Sequence, residues 1–168
     1  MRTALALYLC CLHLSCSREM ESTEQICIPW HPRYAQNVED IYDYSKNNNL
    51  SLDSILNVEW CANMYYHIVA TGNSTKPGPG SVVIYDYTVK DLENYILDMS
   101  DQNSGPSRHD IGPNGNTIGV IDGLQLIGEG GQITLLLPAV IGSGDHMYHP
   151  KITPGSVLIF ELHLLNVE

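Results

Sequence analysis

Near the C-terminus, residues 156–167 alternate. Val157, Ile159, Glu161, His163 and Leu165 interleave with Leu158, Phe160, Leu162 and Leu164. Strand side chains point to opposite faces with a period of two, so this pattern predicts a strand with one wholly apolar face. Such a face has to be covered by another layer. The rest of the chain supplies candidate partners. Residues 64–69, 82–89 and 132–137 are rich in β-branched, aromatic and aliphatic residues, the last run being closed by Pro138, and each predicts a strand. Residues 94–98 predict a short return strand. Val120, Leu124 and Ile127 fall at helical intervals within 119–127, predicting one short helix ended by Gly128-Glu129-Gly130-Gly131. Nine prolines and fourteen glycines lie among these blocks, Pro77-Gly78-Pro79-Gly80 included. That punctuation suits strands joined by turns and disfavours a helical bundle. Residues 101–116 and 139–154 read as loops. The order β-β-β-helix-β-β predicts an α+β fold in which an antiparallel sheet packs one short helix.

Upstream, Val38, Ile41, Tyr42 and Tyr44 recur at near-helical spacing, with Glu39, Asp40 and Asp43 turned away. A helix over 35–46 is predicted, stopped by Asn47-Asn48-Asn49, and then a linker over 50–60 with Leu52, Ile55 and Leu56 available for packing. The chain opens with Met1-Arg2-Thr3, an apolar run over 4–12, and Ser15-Cys16, the layout of an export signal. Cys16 after Ser15 resembles the lipobox of a bacterial lipoprotein, in which the cysteine is lipidated and becomes the first mature residue. An ordinary signal peptide cut nearby is the alternative. The expected organisation is a signal over 1–15, a tether over 16–34, a helical appendage with linker over 35–62, and a domain over 63–168. The expected location is the bacterial cell envelope, lipid-anchored, at the outer membrane or on the periplasmic side. Of five cysteines, Cys10 and Cys11 leave with the signal and Cys16 carries lipid. Cys27 and Cys61 remain, free to form a disulfide in an oxidising compartment or to stay as two idle thiols.

Lys and Arg number 8 against 19 Asp and Glu, a formal net charge of −11. That balance argues against nucleic acid, whose phosphates need clustered Lys and Arg. No apolar run reaches the roughly 18 residues of a membrane-spanning helix. Asp145, His146 and His149 lie close in sequence, but a zinc site needs three or four convergent ligands, and a loop is the better reading. His109-Asp110 has no serine or cysteine partner in a recognisable context. Gly128-Glu129-Gly130-Gly131 follows a helix and so is not a phosphate loop.

Two stretches, Val120-Ile121-Asp122-Gly123-Leu124-Gln125-Leu126-Ile127-Gly128-Glu129-Gly130-Gly131-Gln132-Ile133-Thr134-Leu135-Leu136-Leu137-Pro138 and Ile152-Thr153-Pro154-Gly155-Ser156-Val157-Leu158-Ile159-Phe160-Glu161-Leu162-His163-Leu164-Leu165-Asn166-Val167, resemble the C-terminal half of an FK506-binding-protein-type (FKBP) peptidyl-prolyl isomerase. The runs at 65–69 and 82–88, with the Pro-Gly turn between them, are similar to that family's first strands. The helix before them resembles the N-terminal appendage of its lipoprotein members. The resemblance implies a twisted antiparallel sheet wrapped around one short helix, with a shallow apolar pocket that accepts a proline ring. It implies proline-containing polypeptides as partners and no cofactor or metal.

Residue by residue, the resemblance makes Tyr87 an aromatic wall and Asp98 the acid at the rim, after Leu97 where the family has phenylalanine. Ile152 becomes the loop residue whose N–H meets the substrate carbonyl, and Phe160 the wall on the last strand. Two positions depart from the pattern: Val120 stands where tryptophan floors the pocket, and Ser143 where a tyrosine hydroxyl binds substrate. Tyr148 lies in the same loop and could replace that hydroxyl. A valine-isoleucine pair of the family appears as Asn116-Thr117 or Thr117-Ile118. The implied function is a weak isomerase assisting exported proteins. The alternative is a non-catalytic peptide-binding or chaperone module built on the same fold.

Overall fold

The computed structural model describes residues 31–100, 105–111, 118–142 and 153–168. The element order is α1 (Tyr34–Asn47), β1 (Asp53–Asn57), β2 (Ala62–Ala70), β3 (Val82–Lys90), β4 (Ile96–Met99), β5 (Ser107–Asp110), α2 (Ile118–Leu124), β6 (Gln132–Leu137) and β7 (Leu158–Val167). The described strands form one sheet ordered β1-β2-β6-β7-β3-β4, and every pairing is antiparallel. β5 pairs with β3 at Val82–Tyr85, beyond the end of β4, which pairs at Thr88–Lys90.

Alternation sorts the sheet into two faces. Leu158, Phe160, Leu162 and Leu164 of β7, Ile133, Leu135 and Leu137 of β6, and Val83, Tyr85 and Val89 of β3 join Val120, Leu124 and Ile127 in one buried cluster. Two helix glycines permit this close packing. A Cβ on Gly119 would lie 2.8 Å from a Leu137 methyl, and one on Gly123 would lie 2.6 Å from a Leu135 methyl. α2 therefore rests on β6 at a distance that larger residues would not allow.

The outer face carries a smaller cluster: Ile41 of α1 with Tyr65, Leu136, Val157 and Ile159. Here α1 differs from expectation. Its buried stripe is Asn37, Ile41 and Ser45, one residue per turn, while Tyr42 is turned out and covers Tyr65 edge-on at 5.5 Å. The supposed linker over 50–60 contains β1, an edge strand whose Ile55 and Leu56 are exposed. The supposed loop over 101–116 contains β5. Five strands thus precede α2, not three. Both missed strands are short and mostly exposed, so neither carries the apolar alternation that reveals a strand. No helix among the described residues is long and apolar enough to cross a membrane.

Candidate functional site

β3 and β4 build one rim of the concavity that holds α2. The chain turns back after Lys90: Asp91 Oδ1 accepts from the N–H groups of Glu93 and Tyr95, and Asn94 sits at a positive φ of 64°. This side-chain-bonded turn returns the chain along β4 with Val89 opposite Asp98 and Thr88 opposite Met99. On the other edge of β3, Val89 stands opposite Phe160. Phe160, Val89 and Asp98 therefore form one row across β7, β3 and β4, and Tyr87 lies two residues along β3 from Val89 on the same face.

The Tyr87 hydroxyl donates to Asp98 Oδ2 at 3.0 Å, and Asp98 Oδ1 accepts from the Met99 N–H at 2.9 Å. Both carboxylate oxygens are thus engaged, which fixes the acid at the rim. Behind it, Ser100 Oγ accepts from the Tyr87 N–H at 3.1 Å and donates to Asp86 Oδ1 at 3.0 Å, holding the Tyr87 backbone. Leu97, Val120 and Phe160 are buried in the inner cluster, and Tyr87 packs against it half-buried. Tyr87 and Asp98 are thus bonded to each other, Phe160 shares the Val89–Asp98 row, and Leu97 and Val120 belong to the same inner cluster. Ser143, Tyr148 and Ile152 lie outside the described residues, as do Asn116, Thr117, Cys16 and Cys27. Cys61 is disulfide-bonded.

One residue escaped the sequence reading. Tyr85 is more deeply buried than Tyr87, belongs to the inner cluster, and has its ring 6.3 Å from that of Tyr87 and 5.7 Å from His109 on β5. The aromatic wall on β3 is a pair of tyrosines. The period-two rule already placed 85 and 87 on one face; only the choice of a single wall residue hid the first.

A different depression, of about 710 Å³, opens over Val69, Thr88, Met99, Thr134, Glu161 and His163, with Asp86, Tyr87 and Ser100 also on its lining. Cross-strand register puts Thr134 and Thr88 beside Glu161 and Met99 beside Thr88, so this depression belongs to the outer face. Its threonine, carboxylate and imidazole walls suit water better than a proline ring. The inner face carries the apolar and aromatic side chains such a ring requires. No group of three or more His, Cys, Asp and Glu poised to hold a metal occurs among the described residues.

A model of the FKBP-type peptidyl-prolyl cis-trans isomerase family matches residues 73–165. Among curated proteins, the chain is 27% identical over 105 residues to a probable FKBP-type peptidyl-prolyl cis-trans isomerase, FkpA, of Neisseria meningitidis, which covers 62% of this chain and 38% of that protein. It is 26% identical over 105 residues to the outer membrane protein MIP of Legionella longbeachae, covering 62% and 44%. The match spans less than half the length of these relatives. Among solved structures, FkpA of Escherichia coli superposes with a TM-score of 0.63 at 24% identity, over 80% of this chain and 61% of that one. A peptidyl-prolyl cis-trans isomerase of Pseudomonas syringae superposes with 0.61 at 19% identity, over 82% and 97%. At these identities the superpositions speak for the fold. The family match runs from the turn before β3 into β7 and so takes in the tyrosine pair, the rim acid, α2 and Phe160; on this ground the chain belongs to the FKBP-type peptidyl-prolyl cis-trans isomerase family.

Proposed function

We propose that the chain is a peptidyl-prolyl cis-trans isomerase that assists the folding of exported proteins, with the inner concavity as its site. The observation that carries this reading is the apolar end of that concavity, lined by Leu97, Val120 and Phe160 and closed at its rim by the Tyr87–Asp98 hydrogen bond. The uncatalysed barrier of about 18–20 kcal/mol comes from amide resonance, lost as the X-Pro bond twists. A dry apolar wall favours the twisted, less polar amide over the planar one, while fixed polar groups hold the neighbouring carbonyls. The site needs no covalent step. In this reading Tyr87, Asp98, Ile152 and Phe160 act on the bound X-Pro unit, and Leu97, Val120, Ser143 and Tyr148 shape its surroundings.

Activity is expected to be weak. Val120 gives up the ring contacts of the family's tryptophan, and each buried CH₂-sized contact is worth about 0.8 kcal/mol. Losing two or three that act in the transition state costs roughly one to two powers of ten in rate. The same buried valine favours a second reading, a peptide-binding module without catalysis. A protease-free proline-peptide isomerisation assay on the full chain separates the two. The isomerase reading expects slow turnover that Val120→Trp accelerates. No turnover in the parent, in Val120→Trp or in Val120→Trp with Ser143→Tyr assigns the chain to the second.

The proposed setting is the cell envelope, with Cys16 lipidated and a Cys27–Cys61 disulfide. It is supported by the Ser15-Cys16 motif, by the bonded state of Cys61 and by the similarity to a protein named for the outer membrane. Cys16→Ala is expected to move the protein out of the membrane fraction. A variant still processed and sedimenting with membranes contradicts the anchor.

A further inference from the structure

β1 ends the sheet on one side, paired with β2 alone. Directly opposite residues of an antiparallel pair either exchange both their backbone bonds or aim both away from each other. Leu56 stands opposite Asn63, and the Asn63 N–H is given to the Tyr34 hydroxyl at 2.9 Å. The Leu56–Asn63 pair is therefore of the second kind, and so is Ser54–Tyr65 two residues along. The N–H and C=O groups of Ser54 and Leu56 thus point off the edge of the sheet. The strand around them is uncovered: Asp53 to Leu56 are exposed, Leu56 to 49%, and Val58 just beyond to 77%. Polar side-chain groups are left over as well. Asn57 Oδ1 accepts from the Trp60 N–H, and its Nδ2 donates to Asp122 Oδ2 at 3.2 Å. A carboxamide carries a second N–H, which has no partner among the described residues. Neither has the carboxylate of Asp53, the only charged residue of β1.

We propose that this edge is a dimer interface, at which β1 pairs antiparallel with β1 of a second copy of the chain about a two-fold axis through Ile55. The proposal does not depend on the isomerase reading. A two-fold contact has to be self-complementary, and β1 meets that demand best in this register. Ser54 faces the partner's Leu56 and Leu56 the partner's Ser54, so every outward N–H and C=O of these residues finds its mate. Ile55 packs on its own copy, in a non-hydrogen-bonded pair that brings side chains close. The free Asp53 carboxylate meets the spare amide hydrogen of the partner's Asn57. The neighbouring registers that the outward groups allow are worse. An axis through Ser54 sets Asp53 against the partner's Ile55. An axis through Leu56 sets it against the partner's Glu59, and like charges directly opposite each other destabilise a sheet. A client's extended segment would use the same backbone groups, but it brings no fixed match for Asp53 and Ile55; the self-match favours a second copy. The contact is short, at the weak end of interface sizes, so the dimer is reversible.

The test uses the full chain with Cys16→Ala, so that no lipid anchor gathers the copies. Its sedimentation coefficient should rise from the monomer value toward the dimer value between about 5 and 500 µM. Leu56→Pro removes an N–H that points off the edge and none of the bonds to β2, a place where edge strands accept proline. It takes away half of the interchain backbone bonds and should weaken dimerisation at least about tenfold. Ile55→Lys sets two ammonium groups face to face and should do the same, also where Leu56→Pro does not fold. Ile55→Cys should form an interchain disulfide on mild oxidation, because Cα atoms about 4.5 Å apart suit one. Ser54→Cys and Leu56→Cys should each stay at the parent's level alone and cross-link with each other when mixed. A chain that remains monomeric up to about 500 µM overturns the proposal, as does a dimer undiminished by both Leu56→Pro and Ile55→Lys. Cross-linking of Ser54→Cys or Leu56→Cys alone, in place of Ile55→Cys, overturns the register. A monomer whose Ser54 and Leu56 amide resonances shift on addition of an unfolded polypeptide gives the edge to a client and likewise overturns the dimer.

Discussion

On the inner face of the sheet, α2 and the turn after it bury Leu124 and Ile127 among Leu135, Leu137, Leu158 and Leu162. On the outer face, α1 buries one aliphatic side chain completely, Ile41, flanked one turn to either side by Asn37 and Ser45. The first contact is apolar and non-directional: it gives bulk stability and leaves a concavity lined by rings and aliphatic groups. The second is located by hydrogen bonds. Asn37 Oδ1 accepts from the Ala139 N–H at 3.0 Å and its Nδ2 donates to the Gly155 carbonyl at 3.2 Å, the Tyr34 hydroxyl accepts from the Asn63 N–H at 2.9 Å, and the Tyr44 hydroxyl donates to Asn94 Oδ1 at 2.7 Å. α1 is thereby pinned to β2, to the β3–β4 turn and to both ends of the β6–β7 connection. The same sheet uses one helix as core and the other as a located brace.

If that division is right, substitutions on the two faces should differ in size and kind. Leu124→Ala should have the largest effect, a loss of about 2–5 kcal/mol in denaturant unfolding, the range for a fully buried leucine. A loss below about 0.5 kcal/mol, as at surface sites, would remove α2 from the core. Ile41→Val should cost about 0.5–1.5 kcal/mol in the same measurement. A larger loss would make the outer cluster a second core and not a brace.

The last effect should appear only in alkali. Tyr65, in the outer cluster, has its phenol pushed up to about 12, chiefly by burial and then by the nearby Tyr34. A folded-state value above the ordinary 10.0 means that the neutral phenol's contribution is complete below pH 10 and is lost as pH rises toward about 12. Tyr65→Phe should therefore flatten the fall in stability between pH 10 and 12. An unchanged alkaline limb would show that Tyr65 is not the group being titrated.

Legibility from the sequence followed the same division. β6 matches its expected bounds through an aliphatic run closed by Pro138, and β7 is found within two residues because unbroken apolar alternation is the strongest local signal a strand carries. α2 was visible through Val120 and Leu124. α1 was found as a helix, but its docking stripe was misjudged: two of its three buried residues are Asn37, bonded to distant backbone, and Ser45, bonded to the Tyr42 carbonyl one turn back, and such polar residues leave no hydrophobic period. β1 and β5 were missed for a related reason, since Ser107-Arg108-His109-Asp110 is a strand only because β3 offers it an edge. At the site, Tyr87, Leu97, Asp98, Val120 and Phe160 were named through resemblance; of these, Tyr87 and Asp98 are hydrogen-bonded, and Leu97, Val120 and Phe160 share the inner cluster. Tyr85 was not named, being overshadowed by a neighbour on the same face.

The most direct measurement maps an unlabelled proline-containing peptide onto the isotopically labelled full chain by backbone chemical shift. Binding in the inner concavity should perturb Tyr85, Leu97, Asp98, Val120 and Phe160 together and leave Val69, Thr134 and His163 in place. Perturbations confined to Val69, Thr88, Thr134 and His163 would put the peptide in the outer depression and contradict the assignment of the site.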